Sequence, residues 1–322
     1  MSGFLLEGVD LTKEFPAGRD KIVHAVTNVS LGLKEGETLG LVGESGCGKS
    51  TLGRIMIRAL KPTSGEVLYR GRSMTAMSDK EFDRMRRCFQ MIFQDPYASL
   101  NPRMTVRDLI AEPLETHRIC SGKKETTERV LELMDAVGVP EDFLYRYPHQ
   151  FSGGQRQRIG IARAIAQSPE VIVCDEPVSA LDVSVQNQIL NLLSDLKKKR
   201  GLTYLFISHD LSVVRHISER VCVMFLGKIC ESGPTAEVWS SPAHPYTSFL
   251  LKAVPKPDPG EKTDASSLLT GEIPSPISPP PGCRFHTRCP FAGKLCSEEE
   301  PPVRSLGDRT VACHFPLNME KT

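Results

Sequence analysis

The chain has 322 residues, room for one large domain or two modest ones. Its 40% hydrophobic and 25% charged content is that of an ordinary soluble globular protein, and a net charge of +1 gives no bulk attraction to nucleic acid or an acidic membrane surface. Met1 to Thr12 lacks the basic start and apolar core of a signal peptide, and no stretch nears the ~20 apolar residues that span a bilayer. The expectation is a cytosolic protein that reaches any membrane through partners and has no nucleic-acid partner.

In chain order, Phe4 to Val9, Leu11 to Pro16 and Ala25 to Leu31 have strand-like composition, with Gly18 and Gly36 among turn residues. Phe15 ends one of these strands; taken alone, an aromatic there is more often core than ligand contact. Thr38 to Val42 is short and apolar enough for a buried strand. It runs into Gly43-Glu44-Ser45-Gly46-Cys47-Gly48-Lys49-Ser50-Thr51, which fits G-x-x-x-x-G-K-[ST]. Leu52, Ile55, Met56 and Leu60 follow at helical spacing. In this strand–loop–helix context the glycines let backbone N–H groups crowd round anionic oxygens, and the helix N-terminus adds positive charge. Lys49 suits β- and γ-phosphates, and the Ser50 hydroxyl suits Mg²⁺.

Met91 to Phe93 is a strand candidate ending at Gln94, followed by a turn-rich segment to Pro102. Val106, Leu109, Ile110 and Leu114 share a helix face, as do Val130, Leu133, Met134 and Val137, which predicts a helical insertion between strands. Phe151-Ser152-Gly153-Gly154-Gln155 opens a further helix with Ile159, Ala162 and Ile165 inward. Ser152 and Gln155 fit a capping box, a purely structural reading; the two glycines also suit close approach of N–H groups to an anion. Val171 to Cys174 is a continuous apolar run, as in a central parallel strand. It ends in Asp175-Glu176, two acids that are costly at such a place unless they meet metal or substrate. Asp175 suits the Mg²⁺ shell and Glu176 the attacking water. Val183 to Lys199 is a predicted helix with Ile189, Leu192, Leu193 and Leu196 inward. A strand over 202–207 ends in Ser208-His209-Asp210, which puts His209 at the same sheet edge as the loop and the acids. Residues 221–226 and 228–231 flank Gly227 as a hairpin.

After about Ala253 the prolines 255, 257, 259, 274, 276 and 279–281 mark an extended connector. It leads to Cys283, Cys289, Cys296 and Cys313, the crowded part of a ten-cysteine set whose other members are scattered. In a reducing compartment such a cluster suggests metal more than disulfides. Zinc prefers tighter pairs; the wide gaps and Cys289-Pro290 lean towards an iron–sulfur cluster. His286 and His314 stand close enough in sequence to replace a thiolate.

Taken together, Gly43 to Thr51, Gln94, Phe151 to Gln155, Val171 to Pro177, Ser179 to Asp182 and His209 resemble the full motif set of ABC-transporter ATPases, over roughly residues 4–250. Phe151 departs from the superfamily's usual Leu, a packing change. Gln94 to Pro102, Ala243-His244-Pro245-Tyr246-Thr247, Gly271 to Pro276 and Gly282-Cys283 to Cys289-Pro290 resemble the oligopeptide/dipeptide importer branch, and within it the F-type of two ATPase subunits. The resemblance implies an α/β P-loop ABC ATPase core over 1–253 with a helical subdomain at about 95–165. A Pro-rich linker and small Cys-rich extension follow over 254–322.

It further implies ATP and Mg²⁺ as ligands, with Ser50, Gln94 and Asp175 at the metal, Glu176 as base, and His209, Lys49 and Gln94 at the γ-phosphate. Phe15 would stack on adenine, and Asp182, at the D-loop position, would be among the nucleotide-binding residues. Ser152 to Gln155 would face the ATP of a second ATPase chain, a heterodimer or homodimer partner. It also implies a [4Fe–4S] cluster on the four cysteines, with zinc as the alternative. Two transmembrane permeases and an extracytoplasmic solute-binding protein complete the implied machine, at the cytoplasmic face of the inner membrane. The same type of ATPase serves nickel importers. A soluble ABC ATPase usually shows a long coiled coil or two nucleotide domains, which this chain lacks. A small-molecule P-loop kinase would have no use for the Ser152 to Gln155 segment and a water-activating Glu176.

Overall fold

The computed structural model describes residues 3–18, 21–95, 97, 99–254 and 271–318. They fall into two compact units. The first comprises residues 1–33, 38–75 and 207–322; the second comprises 34–37 and 76–206.

In the first unit, β1 (Leu6–Pro16) pairs antiparallel with β2 (Ile22–Leu33) on one side and β4 (Ser64–Tyr69) on the other, and β5 (Arg72–Ser73) follows β4. The two early strands expected from composition are one strand. Its register shifts between Gly8 and Leu11, and Asp10 takes a positive φ of 48° there. A bulge of this kind breaks the period-two pattern without ending the strand. β3 (Thr38–Val42), every residue of it buried, pairs parallel with β9 (Arg220–Phe225). β9 turns through Leu226 and Gly227, both at positive φ, into β10 (Lys228–Pro234), which is the hairpin expected about Gly227.

The C-terminal residues extend this same sheet. β12 (Arg309–Ala312) pairs with β10, and β11 (Val303–Leu306) with β12. The buried Glu231 carboxylate anchors the junction. It accepts from Arg309 Nη2 at 2.7 Å and from the Ala243 and His244 N–H groups at 2.9 Å each. A buried carboxylate is tolerated only when so satisfied. Residues 271–318 fall in the first compact unit, because their strands pair with its sheet. Pro255, Pro257 and Pro259 of the expected connector lie outside the described residues.

In the second unit, β6 (Phe89–Ile92) pairs parallel with β7 (Val171–Asp175); β8 (Thr203–Ser208) belongs to this unit over residues 203–206. The helices α3 (Val106–Thr116), α4 (Lys123–Ala136) and α5 (Gly153–Ile165) bury the faces that periodicity predicts, Leu109, Ile110 and Leu114 on α3 and Val130, Leu133 and Met134 on α4 among them. These helices lie within the expected 95–165, but the compact unit holding them is wider. On α6 (Val183–Arg200) the buried set is Ile189, Leu190, Leu193 and Leu196; Leu192 is only half-buried. Phe151 is buried and its ring lies 5.2 Å from Phe143, so the departure from Leu is a packing difference. Among the described residues no helix is long and apolar enough to cross a membrane.

α5 approaches α6 at a glycine. A Cβ on Gly154 would sit 2.4 Å from Val185 Cγ1. Gly154→Ala is expected to lower unfolding stability by about 1–3 kcal/mol of overpacking. Early in a helix the propensity gain of alanine, at most ~1 kcal/mol, does not offset this. Denaturant unfolding checks it: adding Val185→Ala should return part of the loss, and an unchanged midpoint in the single variant would contradict the packing role.

Candidate active site

The first unit carries the phosphate loop. β3 delivers the chain to Gly43, and α1 (Lys49–Met56) starts from Gly48 at φ 104°. Two glycines are forced by close approach. A Cβ at Gly43 would lie 2.1 Å from the Met224 carbonyl oxygen, and one at Gly48 would lie 2.0 Å from that of Ala25. The loop is thus seated on the main chain of β9 and β2. Lys49 is buried inside it, donating from Nζ to the carbonyls of Gly43 at 2.8 Å and Glu44 at 3.0 Å. The ammonium is fixed at the centre of a ring of backbone rather than swinging on its stem. Cys47 is also buried; burial pushes its thiol above the usual range, although Lys49 beside it pulls the other way. It therefore stays a neutral thiol. Ser50 and Thr51 are half-buried in the first turn of α1, and Ser45 and Gly46 form the exposed crest of the loop.

Phe15 is half-buried near the end of β1, with Lys13 Nζ 5.2 Å from its ring centroid. His209 is exposed just past β8, next to Asp210, whose carboxylate caps α7 (Leu211–Ile217) by accepting from Ser212 and Val213 N–H.

The second unit carries the acids. Asp175 closes β7 and is buried, while Glu176 follows it at a φ of +47°. A non-glycine residue there is strained by about 1–3 kcal/mol, and such strain gathers at functional sites. The Glu176 carbonyl is held by Ser179 Oγ at 3.1 Å, and its carboxylate accepts from Gln94 Nε2 at 2.8 Å. Two residues picked out 82 positions apart are therefore in contact. Gln94 ends the segment after β6 and Glu176 the one after β7, so the parallel pairing of those strands brings them together.

Ser152 caps α5, with Gln155 N–H donating to its Oγ at 3.4 Å and Ser152 N–H donating to Gln155 Oε1 at 3.0 Å. The structural capping reading of these residues is therefore correct. Gly153 and Gly154 take up close packing as well, against Leu181 and Val185. Asp182 caps α6 through Val185 N–H at 3.0 Å. That bond and the Ser184 hydroxyl hold its carboxyl below the usual carboxylate range.

Cys283, Cys289, Cys296 and Cys313 line one small cavity with His244, Phe285, His286 and His314. All four are free thiols. Burial raises Cys283 and Cys289 and lifts Cys313 to about 11. Neighbouring cysteines push each of these three further in the same direction. The two histidines considered as alternative ligands each spend a ring nitrogen on a carbonyl: His286 Nδ1 meets Cys283 O at 2.8 Å and His314 Nε2 meets Glu299 O at 2.9 Å. Among the described residues, no group of three or more His, Cys, Asp or Glu side chains is arranged to hold a metal ion. The zinc alternative therefore finds no single-ion cage, and the iron–sulfur expectation gains no support from this arrangement beyond the convergence itself.

Sequence reasoning missed Tyr246 and Arg288 as neighbours of the phosphate loop, and Arg284 as a brace of the turn at Leu226. Tyr246 stood only as a branch marker, and nothing local to either arginine signals a partner about 240 residues away.

With this geometry established, residues 26–179 match the ABC transporter family, and residues 230–296 match the C-terminal region of the oligopeptide/dipeptide transporter family. A putative oligopeptide transport ATP-binding protein of Bacillus subtilis, YkfD, is 54% identical over 98% of this chain and 97% of its own length. The oligopeptide transport ATP-binding protein OppF of Escherichia coli is 53% identical over 91% of this chain and 88% of its own. Among solved structures, the ATP-binding cassette MJ0796, a dimer in a post-hydrolysis state bound to ADP and Pi, superposes with a TM-score of 0.66. It is 33% identical and covers 71% of this chain and 98% of its own. The protein is a P-loop ATPase of the ATP-binding-cassette type. The chain belongs to the ABC transporter family, and its sequence relatives include oligopeptide transport ATP-binding proteins.

A titratable group beside the cysteine cavity gives a testable pH dependence. His244 is wholly buried and accepts the Tyr246 N–H at Nδ1, and burial lowers its pKa to about 3. The unfolded chain takes up a proton near 6.5, whereas the folded one does so only near 3. Stability is therefore lost as pH falls between these values, by up to about 1.4 kcal/mol per pH unit from this group. His244 caps the helix Pro245–Lys252 through that bond, and His244→Asn keeps the cap without titrating. Unfolding free energies at pH 7 and 5 should show a shallower acid loss in that variant; an identical slope would contradict the buried neutral imidazole.

Proposed function

We propose that this chain is the ATP-hydrolysing subunit of an ABC importer that powers dipeptide and oligopeptide uptake across the cytoplasmic membrane. The observation that carries the reading is the union, in one chain, of an ABC ATPase motif set with a C-terminal region of the oligopeptide/dipeptide transporter type. In this reading Lys49 and the N–H groups of Gly43 to Thr51 hold the ATP phosphates, and Phe15 stacks on adenine. Ser50, Gln94 and Asp175 complete the Mg²⁺ shell. Glu176 polarises the attacking water and His209 contacts the γ-phosphate. The Gln94–Glu176 hydrogen bond supports a linked role, in which one residue reports phosphate to the helical region while the other performs the chemistry.

Ser152, Gly153, Gly154 and Gln155 act on the ATP of a second ATPase subunit, in a heterodimer or a homodimer, and Asp182 is a further nucleotide-binding residue. Two permease subunits carry the cargo, and a solute-binding protein outside the membrane delivers it. The chain itself sits at the cytoplasmic face through the permeases. Dimer closure on ATP and release after hydrolysis would then move the permeases as a rigid-body switch.

The same reading extends to a [4Fe–4S] cluster on Cys283, Cys289, Cys296 and Cys313. Its support is the sequence spacing and the single cavity that these thiols share. A bound cluster would supply the positive charge that lets these buried thiols ionise side by side, a structural role.

Two variants test these assignments. Glu176→Gln should bind ATP as wild type does and lower steady-state hydrolysis in the assembled transporter by about 10²-fold or more. Rapid turnover by that variant would remove Glu176 as the base. Cys289→Ser should lower the iron and sulfide measured in protein purified without oxygen, and stoichiometric iron in that variant would exclude Cys289 as a ligand.

A further inference from the structure

Glu44 places a carboxylate in a loop built to receive polyphosphate. A carboxylate beside the phosphates repels them unless it is neutralised. The structure neutralises it from the C-terminal segment. Arg288 forks onto Glu44, with Nη1 to Oε2 at 2.8 Å and Nη2 to Oε1 at 3.2 Å. The Arg288 side chain is 5% exposed and that of Glu44 21%, so water screens this pair poorly.

The loop backbone is held from the same direction. Glu44 N–H donates to Tyr246 Oη at 3.0 Å. Tyr246 is wholly buried among Phe225 and Phe285, with ring centroids 4.8 and 5.3 Å away. At the other end of the variable part of the loop, the Cys47 carbonyl accepts from Gly227 N–H at 2.9 Å. The turn that supplies this N–H is braced by Arg284, which donates to the Leu226 carbonyl and, at 2.9 Å, to Thr27 Oγ1. Arg284 and Arg288 thus bracket the loop, and Phe285 between them sits in the aromatic cluster.

We propose that Arg288 is a positioning residue for nucleotide binding. It neutralises Glu44 and, together with Tyr246, fixes residues 44–47 in the shape that receives the phosphates. The C-terminal segment therefore sets ATP affinity, in addition to completing the sheet of its unit. This inference rests on the assignment of Gly43 to Thr51 as the phosphate-binding loop.

The test measures MgATP binding by titration calorimetry on the full-length chain. Arg288→Ala should weaken binding about tenfold or more, because it strands an acid beside the phosphates. Arg288→Lys should lose less, since it keeps the charge but not the fork. Glu44→Gln introduced into Arg288→Ala should restore most of the affinity, which a merely structural arginine would not allow. In the assembled transporter the loss should appear in KM, with kcat held within about twofold.

Unchanged ATP affinity in folded Arg288→Ala, or a loss of equal size with and without Glu44→Gln, overturns the proposal. If Arg288→Ala does not fold, Arg288→Lys with and without Glu44→Gln makes the same comparison. Lys49→Ala separates the two levels: wild-type ATP affinity in that variant would overturn the phosphate-loop assignment itself, whereas its loss alongside unaffected Arg288 variants overturns only the positioning role.

Discussion

The contact on which the structure of the first unit turns is the seat of the phosphate loop on neighbouring main chain. Gly43 and Gly48 lie so close to the carbonyls of Met224 and Ala25 that no other residue fits without moving a strand. That seat fixes where α1 begins and so where its N-terminal N–H groups point. It also sets Lys49 inside the loop, where two carbonyls hold the ammonium. A loop preorganised in this way presents its backbone N–H groups without first having to order itself. β9, which forms one side of the seat, pairs with β10, and β10 pairs with β12 of the C-terminal segment, so the loop and the tail are joined through one sheet.

The second unit stores its functional information as strain and as alignment. Glu176 is held at positive φ immediately after a strand whose five residues are all buried. A tightly packed β7 can enforce that conformation, whereas a loosely held loop would relax it. The parallel pairing of β6 and β7 then sets Gln94 against the Glu176 carboxylate. Neither residue is informative alone; their meeting follows from register.

Much of this was legible in the sequence because it is written in local patterns. The strand–loop–helix around Lys49, the buried faces of α3 and α4, the capping of α5 by Ser152 and the hairpin about Gly227 all follow from short-range periodicity, glycine placement or capping chemistry. What was not legible depends on distant contacts. The bulge at Asp10 hid one long strand as two, and the Leu190 side of α6 is buried where the pattern suggested Leu192. The tail's change of composition is local, whereas its tie to the sheet through Glu231 and Arg309 spans 78 residues. Arg288 carries no local mark of its partnership with Glu44, and only the folded chain reveals it.

The most direct test of the central claim is uptake by cells that lack the chromosomal copy and carry either the wild-type chain or Glu176→Gln. A labelled dipeptide, a longer peptide and nickel would be supplied side by side. The account predicts peptide uptake that is restored by the wild type and abolished by the variant. Uptake of nickel alone, or peptide uptake indifferent to the chain, would contradict it.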